Sequence, residues 1–228
     1  MKTIWITFLV CSLFSIQTNG QNRKMPFDRV TLEDGLSQSY INCILQDSKG
    51  FIWFGTNGGL NRYEGTQFQF FLHQSNDTTS ISNNIVQCLY EDEKGLIWVG
   101  TQNGLNIFDP ATHSFERITA DPNNPNSLSH NVITDIAQDT SGIYWIATSG
   151  GGLNRYDYEK DSFQIYQNSI QNPYSISSNK LTSLSIDHKG FIWIGTADKG
   201  LNMMDPKQGK FLRYMTEFAQ IDLKSNTI

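Results

Sequence analysis

Apolar residues in this chain fall in short runs broken by polar, glycine-bearing turns, a pattern that predicts strands. The stretch from Ile85 to Thr119 shows the plan. A first strand runs from Ile85 to Tyr90, and Asp92-x-x-Gly95 follows as a tight turn, with the carboxylate able to accept backbone N–H groups and glycine free to take positive φ. Ile97–Thr101 is a second strand, Leu105–Phe108 a third, and Asp109-Pro110 opens another turn because proline presets φ. Phe115–Thr119 is the fourth strand, and the polar segment Ala120–Ser129 leads onward. The second strands, such as Phe51-Ile52-Trp53-Phe54 and Phe191-Ile192-Trp193-Ile194, are apolar at consecutive positions, so both of their faces must be buried.

This unit occurs four times. Trp53, Trp98, Trp145 and Trp193 are spaced by 45, 47 and 48 residues. A glycine precedes each by three positions (Gly50, Gly95, Gly142, Gly190), and an aspartate precedes each by six (Asp47, Asp92, Asp139, Asp187). A small residue follows two positions after each indole (Gly55, Gly100, Ala147, Gly195), then a threonine, then a Gly-Leu-Asn triplet beginning at Gly59, Gly104, Gly152 and Gly200. Phe68, Phe115, Phe163 and Phe211 open the fourth strands.

Four strands at this period predict an all-β fold, a β-propeller of four four-stranded blades at about 38–72, 83–119, 130–167 and 178–215. Blades pack face to face, with the tryptophans between them and the small residue admitting the neighbouring blade. Phe27-Asp28-Arg29-Val30-Thr31 matches the fourth strand Phe115–Thr119 and is expected to be a lone outer strand, while residues 225–228 match the start of a first strand. The partial propeller is therefore expected to span 27–228, its ring open, with apolar blade faces at both ends inviting further blades or another chain.

Residues 1–20 have the layout of a secretory signal peptide: Lys2, an apolar stretch from Ile4 to Ile16, and small residues Thr18 and Gly20 before the expected cut, which leaves a short lead at 21–26. The apolar stretch is short for a membrane span, an uncleaved anchor being the alternative. Cleavage leaves 16 basic and 22 acidic residues, no Lys/Arg run, and thus no footprint for nucleic acid or an anionic membrane. Of the three cysteines, Cys43 and Cys88 remain, at equivalent points of neighbouring blades whose inner strands are not paired, so buried free thiols are expected.

Glu33-Asp34-Gly35-Leu36-Ser37, the run Ile44–Thr56, Gly59-Leu60-Asn61-Arg62-Tyr63 and Asn124–Ser129 together resemble the two-component regulator propeller repeat, from Phe27 to the C-terminus. The resemblance implies a periplasmic sensor segment of the hybrid two-component systems typical of gut Bacteroidetes, in which propellers precede a β-sandwich, a membrane helix and a histidine kinase, and ligands are glycan-derived oligosaccharides. This sequence contains none of the later parts, nor about three blades of the first propeller, and so resembles a truncated leading piece.

Candidate chemistry is sparse. The four aspartates and the tryptophans read as scaffold. His73, His113, His130 and His188 lie at non-equivalent points without metal-ligand spacing, and Gly150-Gly151-Gly152 lacks the helix and lysine of a phosphate loop. No nucleophile–base pair or isolated carboxylate pair is visible, so no catalytic, cofactor-binding or metal-binding residue, and no cofactor, is expected. The loops at Asn57-Gly58, Gln102-Asn103, Ser149-Gly150 and Ala197-Asp198-Lys199 should share one end of the ring with the long connections; their Asn, Ser and Gly suit sugar hydroxyls, but plain soluble turns are the better reading of them. A periplasmic ligand-sensing segment without catalysis is the leading function; a lyase-like enzyme on the same scaffold, or a non-functional fragment, are the alternatives.

Overall fold

The computed structural model describes residues 29–214. These form four antiparallel sheets of four strands, each in simple sequential order. Blade 1 comprises β1 (Ile41–Gln46), β2 (Ile52–Thr56), β3 (Gly59–Tyr63) and β4 (Phe68–Phe71). Blade 2 comprises β5 (Val86–Glu91), β6 (Ile97–Thr101), β7 (Gly104–Asp109) and β8 (Ser114–Ile118). In blade 3 the strands are β9 (Ile133–Gln138), β10 (Tyr144–Thr148), β11 (Leu153–Asp157) and β12 (Ser162–Tyr166), with a single 3₁₀ turn at Tyr158–Lys160. Blade 4 has β13 (Leu181–Ile186), β14 (Ile192–Thr196), β15 (Leu201–Asp205) and β16 (Lys210–Tyr214). The innermost strands β1, β5, β9 and β13 stand side by side in chain order around one axis, and the ring is open.

The core consists of three clusters, one per blade interface. Strand β6 explains the unbroken apolar runs: Ile97 and Val99 join the cluster shared with blade 1, and Trp98 joins the one shared with blade 3. Strand β10 repeats this, with Tyr144 and Ile146 facing blade 2 and Trp145 and Ala147 facing blade 4. Each indole thus points at the next blade. Trp53 meets Phe108 edge-on at 5.5 Å between ring centroids, and Trp98 stacks on Tyr144 at 3.7 Å. Trp53, Trp98 and Trp145 are at most 1% exposed, whereas Trp193, with no following blade among the described residues, is half-buried. The small residue beside each ring permits this approach: a methyl group on Gly100 would lie 2.3 Å from Cys88 Sγ and 2.7 Å from Ile133 Cγ2 of the next blade.

Polar locks tie each connection to its blade. Asn61, Asn106, Asn154 and Asn202 of the Gly-Leu-Asn triplets are fully buried. Asn106 Oδ1 accepts the Ser82 N–H at 2.8 Å, and its Nδ2 donates to Ser82 Oγ at 2.9 Å; Asn154 with Ser129 and Asn202 with Ser177 repeat both bonds. Beside these serines, Ile81, Leu128 and Ile176 plug the core.

One expected element falls largely at the edge of the described residues. Of the outer strand placed at Phe27–Thr31, Phe27 and Asp28 lie outside the described residues, and Arg29, Val30 and Thr31 belong to no strand. Among the described residues every sheet already has its four strands, so the segment has no inner strands to complete, in keeping with a lone outer segment. Residues 1–26 and 225–228 also lie outside the described residues.

Candidate functional site

The repeated carboxylates are structural, and more specifically so than turn chemistry requires. Asp92 Oδ1 accepts the N–H groups of Lys94 and Leu96, each at 2.9 Å, which closes the turn. Its Oδ2 accepts the indole N–H of Trp98 at 2.9 Å and the Tyr144 hydroxyl of blade 3 at 2.8 Å. Asp47, Asp139 and Asp187 bind their own indoles at 2.8, 2.9 and 3.0 Å. The indole is thus fixed in orientation against the next blade. At Asp187 the Trp193 bond, followed by backbone N–H groups, holds the carboxyl below its usual range. Sequence reasoning missed the indole bond; the unvarying six-residue offset from Asp to Trp was its signal.

A different feature recurs around the axis. All four innermost strands carry a β-bulge at the second position, at Asn42, Gln87, Thr134 and Thr182. The pattern there is apolar-polar-small-apolar, as in Val86-Gln87-Cys88-Leu89 and Ile133-Thr134-Asp135-Ile136. Val86 and Leu89 belong to one cluster, as do Ile133 and Ile136. Residues three apart cannot share a face of a regular strand, so one residue must bulge. The four bulged residues line a 460 Å³ axial pocket with Cys43, Cys88, Leu89 and Asp135. The periodicity held this signal, although sequence reading missed it.

The pocket offers amides and hydroxyls around one carboxylate. Asn42 Nδ2 donates to Val86 O at 2.7 Å and to Asn57 Oδ1 at 2.9 Å, placing the mouth at the end that carries the β2–β3 loops. Asp135 accepts the Leu184 N–H of blade 4 at 2.7 Å and the Ile136 N–H at 2.9 Å. Burial raises its carboxyl above the ordinary value, against those two bonds. Thr134 Oγ1 is buried without a partner, a donor and acceptor held ready beside the cavity. Cys43 and Cys88 are free; Cys88 is buried and Cys43, packed against the cluster shared with blade 2, is half-buried, a little less enclosed than expected. Burial, with a smaller contribution from Asp135, pushes the Cys43 thiol up to about 12 and the Cys88 thiol well above its ordinary value. Neither is a nucleophile at neutral pH.

The loops expected to share one end do so: Asn57, Gln102, Ser149 and Ala197 each donate a backbone N–H to the residue before an innermost strand or its equivalent, Tyr40, Ile85, Val132 and Lys180. The histidines stay apart in connections and turns; His130 accepts the Val132 N–H, and His73 Nδ1 lies 2.9 Å from Ile81 O. Among the described residues no group of three His, Cys, Asp or Glu side chains is arranged to hold a metal ion.

Residues 35–58, 80–103, 127–150 and 175–198 match the family described as two component regulator propeller, each window running from the serine-flanked connection through the indole strand to the β2–β3 loop. The chain carries the two-component regulator propeller repeat in four copies. Its blades are similar to those in the extracellular domain assigned to the hybrid two component system BT3049 of B. thetaiotaomicron, with 30% identity and a TM-score of 0.75 over 82% of this chain. Histidine kinase P4 of Formosa agariphila is 37% identical over 83 residues, 36% of this chain. Virginiamycin B lyase of Staphylococcus aureus, at 12% identity and a TM-score of 0.57, covering 77% of this chain and 55% of its own, shares the fold alone. The regulator propeller blades here span 26% of the solved extracellular domain, and the matched stretch is 6% of the kinase. Among the described residues no helix is long and apolar enough to cross a membrane.

Proposed function

We propose that this chain supplies recognition blades of a periplasmic sensor in a two-component system, and that its ligand is a neutral glycan-derived oligosaccharide met at the axial mouth. One observation carries the reading: the same bulge, in all four innermost strands, turns Asn42, Gln87, Thr134 and Thr182 toward one pocket. Bulges serve to re-aim side chains, and amides and hydroxyls converging on a cavity suit a ligand rich in hydroxyl groups. The unpartnered Thr134 hydroxyl supports the same view. Resemblance to extracellular domains of two-component systems supports export, with residues 1–20 as its signal. In this reading the chain is non-catalytic and transmits ligand occupancy to other parts of the system.

The exposed faces of the end blades support a further part of the proposal. Tyr40, Ile44, Phe70 and Leu72 lie open on blade 1, and Leu212 and Tyr214 on blade 4. Further blades or another chain cover them in the working assembly. Calorimetric titration of an intact propeller containing these four blades, against a panel of neutral oligosaccharides, tests the ligand. A saturable heat weakened by Gln87→Ala and by Thr134→Val is the expected outcome. A silent panel, or binding indifferent to both substitutions, would refute it.

A further inference from the structure

A second cleft, of 600 Å³, opens between blades 3 and 4 at the end of the sheets opposite the axial mouth. It lies among the β9–β10, β13–β14 and β15–β16 turns and is lined in part by Trp145, Arg155, His188, Lys189 and Lys207. The repeat itself shows what is unusual here. Arg155 stands opposite Trp145 in the β10–β11 register, as Arg62 stands opposite Trp53 in β2–β3. In blade 1 the guanidinium has a carboxylate partner: its Nη2 reaches Glu64, two residues on, at 2.5 Å, and the group lies over the rings of Phe51 and Trp53, although its Nε is buried without a partner. In blade 3 the residue two positions on is Asp157, but Lys160 of the 3₁₀ turn takes that carboxylate at 2.7 Å. Arg155 enters none of the four ion pairs and none of the side-chain hydrogen bonds among the described residues, although it is half-buried. Lys189 and Lys207 also lack an ion pair among the described residues and stand exposed at the rim.

Three carboxylates line the same cleft, and each is already engaged. Asp139 accepts from Ser141, Ile143 and the Trp145 indole; Asp187 accepts from Lys189 N–H, Phe191 N–H and the Trp193 indole; Asp205 accepts from Lys207 N–H and Gln208. Their oxygens are turned to their own turns, so they do not satisfy the guanidinium. They do balance the formal charge of the three cations. Recognition here must therefore rest on the directional fork of one guanidinium rather than on a broad positive field.

We propose that this cleft binds an oxyanion, a carboxylate or sulfate group on a ligand, through Arg155, with Lys189 and Lys207 closing over it. The proposal goes beyond the axial reading and does not rest on it: the two cavities share no residue and face opposite ends. The probes are sodium sulfate, D-glucuronate and D-glucose, titrated into the full chain while tryptophan fluorescence is followed, since Trp145 lines the cleft. Sulfate and glucuronate should each give a saturable change and compete with one another, while glucose, lacking the carboxylate, should give none. The tighter of the two identifies the preferred anion. Arg155→Gln should weaken binding roughly tenfold or more, as expected for losing a charge-assisted contact. Lys207→Gln, in an exposed turn, should weaken it a few-fold without touching the core, and Arg62→Gln should leave it unchanged. Equal response to glucose, no saturation with either anion, or affinities unaltered by both Arg155→Gln and Lys207→Gln would overturn the proposal; the Lys207 variant decides the matter should Arg155→Gln fail to fold.

Discussion

Replacing Asp92 by alanine tests how the blades are joined. The carboxylate holds four donors, two of them the Trp98 indole and the Tyr144 hydroxyl, on residues 0% and 3% exposed. Leaving a buried donor unpaired costs about 1–3 kcal/mol, so the two together cost about 2–6 kcal/mol. The turn N–H groups lie nearer water and add less. Removing a carboxylate that is itself buried offsets part of the loss, which places the expected destabilisation at about 2–4 kcal/mol. Asp92→Asn should cost nearly as much. Its oxygen can keep the turn, but its NH₂ group then faces the indole N–H, donor against donor. Urea unfolding of Asp92→Ala in the wild-type and in a Trp98→Phe, Tyr144→Phe background separates the roles. With both donors gone, the cost of losing the carboxylate should fall by at least half. An undiminished cost would show that Asp92 is merely a turn former, and that the cross-blade bond contributes nothing.

Other consequences follow from the packing and the thiols. Gly100→Ala drives a methyl into Cys88 and Ile133 and should destabilise by about 1–3 kcal/mol in a thermal melt, with partial rescue by Cys88→Ala. Trp98→Ala should cost about 3–5 kcal/mol, and Trp193→Ala clearly less in the same denaturation assay, since its ring is already half open. The Cys43 thiol ionises at about 12 when folded and near 9.0 in its ordinary state. Its contribution is thus fully present below pH 9, and stability should decline as the pH rises from there toward 12. Unfolding free energies measured across that window should decline less steeply for Cys43→Ala; an identical slope would exclude the thiol as a cause.

Much of this architecture is legible in the chain because each blade repeats one solution to the same packing problem. The β6 strand is read correctly from sequence to the residue, since its apolar run must serve two cores at once. The flanking strands differ by a residue at their ends, where pairing fades. Phe27–Thr31 shows the limit of local likeness: its match to Phe115–Thr119 does not make Arg29, Val30 and Thr31 a strand where no inner strand is available to pair with them among the described residues. The axial ring was harder. Asn42, Gln87, Thr134 and Thr182 differ in chemistry from blade to blade, and what recurs is a break in the two-residue rhythm rather than a residue type. Arg155 was invisible for a third reason. Its lack of a bonded carboxylate depends on Lys160 taking Asp157, a choice made by the 3₁₀ turn and not by any motif.

The account depends on indoles lying between successive blades, with the last of them facing outward. Acrylamide quenching of four single-tryptophan variants, each also carrying Trp5→Phe, measures this most directly. Chains retaining only Trp53, Trp98 or Trp145 should resist quenching, and the chain retaining only Trp193 should be quenched several-fold more readily. Quenching of Trp98 as easily as a free indole in water would contradict the arrangement.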